Sequence, residues 1–124
     1  GNEGDWIVEG LAEFYSIEFM RRSGSLPPEQ ATRAFERQRE WGREVESLRT
    51  ARSTGAVTAR AATLFAELDR EVRRATAGEA SLDDVARGLT AHGGPVGLAT
   101  LRQVTEQVTG APSSVLADGR VPGY

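Results

Sequence analysis

The stretch Trp6-Ile7-Val8-Glu9-Gly10-Leu11-Ala12-Glu13-Phe14-Tyr15 holds the residues best placed to do chemistry. Glu9 falls in the early turns of a segment whose apolar residues, Trp6 to Met20, go almost all the way round at helical spacing. A carboxylate buried there without a partner is costly, so it must be hydrogen-bonded, ion-paired or bound to a metal. The plainest alternative is a carboxylate near a helix N-terminus, favoured by the dipole by about 0.3–1 kcal/mol. Gly10 costs a helix interior about 1 kcal/mol relative to Ala, which points to close approach by another backbone. Glu13 and Glu18 share the segment and suit ion pairing or support of a site. Tyr15 reads as core.

Composition narrows the chemistry. The 124 residues suit one domain, and 39% hydrophobic with 27% charged residues describes an ordinary globular chain. The absence of cysteine excludes disulfides, thiolate zinc sites, iron–sulfur clusters and cysteine nucleophiles. One histidine excludes a self-contained site built on two or three imidazoles. All 15 basic residues are Arg, yet 18 acidic residues are mixed among them and the net charge is −3. No basic face emerges, so no nucleic-acid partner is expected. No apolar run reaches the roughly 18–20 residues of a membrane span, and no basic-then-apolar leader stands at the start.

The elements that must position these residues all read as helices. The first covers Asp5 to Ser23, with Asp5 placed to cap it and Gly24 to stop it. Pro27 and Pro28 open a second, whose stripe runs through Ala31, Ala34, Phe35, Gln38, Trp41, Val45 and Leu48, with Trp41 in the core. Thr50 to Gly55 is the loop. Val57, Ala61, Leu64, Phe65, Leu68, Val72 and Ala75 mark a third helix that Gly78 ends. Ser81 and Asp84 resemble a capping box for a fourth, which stops at Gly93-Gly94-Pro95, with His92 as an ordinary last-turn residue. A fifth carries Leu98, Leu101, Val104 and Val108, and Ser113 and Ser114 can cap a last turn. The tail from Gly119 to Tyr124 looks irregular. The expected class is all-α, a bundle of five to six helices in one domain over 1–124.

Trp6, Glu9, Gly10, Ala12 and the Phe14-Tyr15 pair resemble the third-ligand segment of the gluzincin metallopeptidases, of the form Trp-x-x-Glu-Gly-x-Ala-x-Tyr. The segments Leu64 to Arg73, Ser81 to Val85 and Val96 to Arg102 are similar, in order, to helices of the C-terminal α-helical part of the glycyl-aminopeptidase-like, PDZ-associated branch. The resemblance implies a fold like the helical subdomain of thermolysin-like peptidases. It implies that residues 1–24 form the helix carrying a zinc ligand and that 25–124 form the bundle. Glu9 would be the third ligand, with Trp6, Gly10 and Glu13 supporting it. Two His of an upstream H-E-x-x-H helix would complete the protein ligands, leaving zinc an open position for water. Peptide substrate and zinc would thus belong to the intact protein.

Two departures from that pattern matter. No H-E-x-x-H occurs in the chain, and His92 cannot replace it, so no zinc and no hydrolysis are expected of these residues alone. Active relatives also carry a Tyr-x-Lys-Gly segment whose Tyr donates to the oxyanion; the matching positions near Thr58, Arg60 and Ala61 lack it. The competing expectation is a non-enzymatic helical interaction or scaffold module. Without the upstream helix, apolar surface around Trp6, Leu11 and Phe14 should be exposed and should drive a homodimer or domain-swapped contact through the first helix.

Overall fold

The computed structural model describes residues 3–49 and 54–124. Five helices are present among them: α1 (Asp5–Arg22), α2 (Pro28–Gly42), α3 (Gly55–Ala75), α4 (Leu82–His92) and α5 (Leu98–Thr109). The all-α bundle expected from the hydrophobic periodicity is what forms. Residues 50–53 of the expected loop lie outside the described residues.

The central element is α3, which packs against each of the other four helices and most extensively against α1 and α2. Its sequence explains this place. Val57, Ala61, Leu64, Phe65, Leu68 and Val72 are buried along one stripe, and Ala59, Ala62 and Thr63 widen that stripe toward the neighbours. Thr54 starts the helix by accepting a hydrogen bond from the Val57 amide at 3.2 Å. Thr63 bonds back to the Ala59 carbonyl at 3.0 Å, which allows its hydroxyl to be buried.

Several helix ends fall where local chemistry places them. Ser81 Oγ accepts from the Asp83 amide at 3.1 Å, and Asp84 Oδ2 accepts from the Ser81 amide at 2.9 Å, completing the box that opens α4. Gly93 and Gly110 close α4 and α5 in the left-handed conformation. The cap of α1 is Gly4, not Asp5, which is the first helical residue. Ser113 Oγ accepts from the Leu116 amide at 3.0 Å, capping the last turn.

The second helix departs from expectation in two ways. It ends at Gly42 rather than continuing through Val45 and Leu48. At Gly42 an added Cβ would lie 2.5 and 2.6 Å from the backbone N and Cα of Arg60, so α2 crosses α3 where only glycine fits. The chain then leaves the helix, and Leu48 reaches the core from an irregular segment with its amide bonded to the Pro122 carbonyl at 3.0 Å. Trp41 is not core: it is 61% exposed, its ring lying over Gly55.

The irregular C-terminal stretch is anchored at several points. Leu116 and Val121 are fully buried. Arg102 Nε donates to the Leu116 carbonyl at 2.7 Å. The Glu71 carboxylate of α3 accepts from the Ser113 and Ser114 hydroxyls and from the Ser114 and Val115 amides, the Ser114 amide at 2.8 Å. The last residue, Tyr124, accepts from Trp6 Nε1 at 3.1 Å and donates to the Glu3 carbonyl at 3.3 Å.

Ion pairs fasten α1 to α4. Glu18, only 5% exposed, accepts from Arg21 and Arg22, and Arg22 reaches on to Asp83 with two bonds of 3.0 and 3.1 Å. The Arg21 and Arg22 bonds hold the Glu18 carboxyl below its usual range, and the Arg22 bond does the same for Asp83 against the cost of its burial. The Ser81 amide lowers Asp84. Burial works against ionisation of Glu71, but the hydrogen bonds from Ser113, Ser114 and Val115 outweigh it. All four carboxyls titrate lower in the folded than in the unfolded chain. Their stabilisation is therefore complete above the unfolded carboxylate range, roughly pH 4–5, and drains away as pH falls through the folded values. The urea midpoint should be flat between about pH 6 and 8 and fall steeply below about pH 4. A midpoint that holds constant to about pH 3 would contradict this.

Candidate functional site

The helix α1 is apolar nearly all round, yet the fold leaves one of its sides uncovered. Trp6, Ile7, Phe14 and Ile17 face inward and are buried. Val8 is 65% exposed, Phe19 56% and Met20 43%, and Ala12 and Ser16 lie open between them. The exposed apolar surface expected of this helix exists, but it is built from these residues. Trp6 and Phe14 are buried and Leu11 is half-buried, because α3 covers the side expected to be bare.

Glu9 is half-buried on α1, between exposed Val8 and the Gly10 side that contacts α3. Gly10 is the tightest point of that contact: a Cβ there would lie 2.6 Å from Ala61 Cβ and 2.9 Å from Phe65 Cε2. The close approach that the glycine signals is thus to side chains of α3. Trp6 stacks on Phe65 with ring centroids 6.0 Å apart. Trp6 and Gly10 therefore hold the Glu9 helix through α3. Glu13 is turned to α2, where its carboxylate accepts from Gln38 Nε2 at 3.0 Å. Among the candidates, Trp6 and Gly10 come together on α3, while Glu13 goes to α2.

A metal needs more than Glu9. Among the described residues no group of three or more His, Asp or Glu side chains lies close enough to hold an ion. His92 is exposed at the end of α4. Glu9 alone supplies one carboxylate, fewer donors than a zinc site takes from its protein.

Beside the open face, α1 and α4 leave a groove of about 490 Å³ lined by Leu11, Ala12, Tyr15, Phe19, Ala86 and Arg87, among others. Tyr15 forms its polar edge, donating to Asp83 Oδ1 at 2.6 Å. Burial, and then this bond to a carboxylate, push the phenol well above its ordinary range, so it stays protonated. Arg22 lies over both the Tyr15 and Phe19 rings, 5.9 and 5.7 Å from their centroids. Sequence pattern placed Tyr15 in the core and missed its hydroxyl bond. The partner Asp83 is 68 residues away, and nothing local links the two.

No helix among the described residues is long and apolar enough to cross a membrane. Comparison with protein families, characterised proteins and solved structures returned no match to the chain.

Proposed function

We propose that this chain is the C-terminal helical portion of a zinc-dependent metallopeptidase of the aminopeptidase kind, in which Glu9 is the third zinc ligand. One observation carries the reading: α1 presents Glu9 beside an uncovered face, while Trp6 and Gly10 fasten the same helix to α3 from behind. A ligand donated across to another helix needs that arrangement, since its carboxylate must be held still by packing its own helix provides. The bundle's task is positional. The stack on Phe65 and the contact at Ala61 fix the rotation of α1, and Glu13 bonded to Gln38 steadies it against α2. Zinc, when bound with two upstream His, supplies the polarised water for peptide hydrolysis.

The second reading, a non-enzymatic helical module on a peptidase-like scaffold, is favoured by one observation. Thr58, Arg60 and Ala61 stand where the resemblance calls for an oxyanion-donating Tyr. Losing such a donor typically costs 10²–10³ in rate. The deciding experiment measures zinc content and peptide hydrolysis by the full-length protein beside Glu9→Ala. Stoichiometric zinc and activity, both lost in the variant, support the peptidase. A metal-free, inactive full-length protein leaves the module.

A further inference from the structure

We infer that the open face of α1 is a self-association surface, on which a second copy of this chain docks its own α1 antiparallel about a two-fold axis near residue 14. The zinc reading seats an upstream helix beside Glu9 on this same uncovered side of α1, so that helix and a second copy would compete for the face.

The pattern of the face carries it. The exposed residues run large, small, small, large: Val8, Ala12, Ser16, then Phe19 and Met20. That order is close to palindromic about residue 14. An antiparallel copy therefore sets Val8 of one chain between Phe19 and Met20 of the other, while Ala12 lies opposite Ser16. The small residues fall at the crossing, where helix axes can approach most closely, and the bulky ones close the contact at both ends. A two-fold contact of this kind is self-complementary, as isologous interfaces require.

The helix dipole selects the same orientation. Antiparallel pairing opposes the two α1 dipoles and parallel pairing would align them, while Arg21 and Arg22 stay bonded to Glu18 and Asp83 of their own chain. The 18 residues of α1 span about 27 Å. A single helix pair of that length is a small interface, on the order of 1,000 Å² in all, which suits a reversible dimer. The groove toward α4 adds Leu11 and Tyr15 beside the seam.

The first measurement is mass by light scattering across a concentration series of the 124-residue chain. The expected result is a shift from one chain mass to two as concentration rises from about 1 to several hundred µM, the range of a small interface. Val8→Glu with Phe19→Glu should abolish the shift, with helicity by circular dichroism unchanged. A monomer throughout, or a dimer that survives the double substitution, overturns the inference.

The second measurement reads the register and uses the chain's lack of cysteine. Val8→Cys mixed with Met20→Cys should give a mixed disulfide on mild oxidation. Phe19→Cys alone should not link to itself, because antiparallel pairing separates the two positions by about 15 Å, beyond the roughly 7 Å a disulfide tolerates. Efficient self-linking at Phe19 would mean a parallel pair and would also overturn it. Zinc content of the full-length protein moves with neither experiment, so this inference and the peptidase reading fail separately.

Discussion

Phe65→Ala is expected to lower stability by about 3–5 kcal/mol, the usual range for truncating a fully buried aromatic. Phe65 is inaccessible to solvent, stacks on Trp6, and supplies the ring edge that Gly10 accommodates. Its loss empties the space between α1 and α3, the contact on which the rotation of the Glu9 helix depends. Against the roughly 5–15 kcal/mol typical of a domain, such a loss should be plain in urea unfolding at neutral pH. A change under about 1 kcal/mol would mean that the core collapses around the vacancy and that Phe65 is no keystone.

Gly10→Leu is expected to be nearly as severe and for the opposite reason. Leu is the better helix former by almost 1 kcal/mol, so propensity alone predicts a gain. The Cβ, however, meets Ala61 Cβ at 2.6 Å, and Ala61 is itself fully buried with nowhere to move. Inserting further methylenes into a filled core costs about 1–3 kcal/mol or more, and the net result should be a loss of at least about 2 kcal/mol. The two substitutions are coupled by geometry. Combined with Phe65→Ala, the new Leu enters the space the ring vacates, so the double variant should be more stable than the sum of the singles by about 1–2 kcal/mol. Strict additivity would show that Gly10 and Phe65 do not share that space.

Much of the fold is legible in the residues, and the boundary of legibility is physical. Ser81 and Asp84, Gly93 and Gly110 act within a few residues of themselves, so the ends they set can be read directly. The stripe of α3 is legible because one repeating face meets one core. The end of α2 is not. Val45 and Leu48 keep helical spacing by coincidence, since an irregular segment that dips back to the same core satisfies the same pattern. At its last residue, Gly42, the helix meets the backbone of Arg60, a contact between distant residues that no local window contains. Trp41 shows the same blindness, its apolar character saying nothing about whether a neighbour arrives to cover it. At the candidate site, Glu9 and Gly10 were conspicuous because a charge and a glycine are out of place in an apolar helix. Ala61 and Phe65, which meet Gly10, and Gln38, which meets Glu13, were not, being ordinary residues of ordinary amphipathic helices.

The bond from the Tyr124 hydroxyl to the Glu3 carbonyl joins opposite ends of the described chain across one side chain. The backbone therefore traces something near a closed loop, with Trp6 and Arg49 gathered around the point of closure. In such a loop the order in which helices are synthesised is separable from the order in which they pack. The same contacts could be reached from a chain opened at the exposed Gly93-Gly94 turn, with its present ends bridged by a short linker. Sequence continuity between α1 and α2, or α4 and α5, is then only one of several ways to wire one arrangement. The fastening at Tyr124 also does for the whole chain what a staple does for a single loop: it shortens the effective distance between residues that lie farthest apart in sequence.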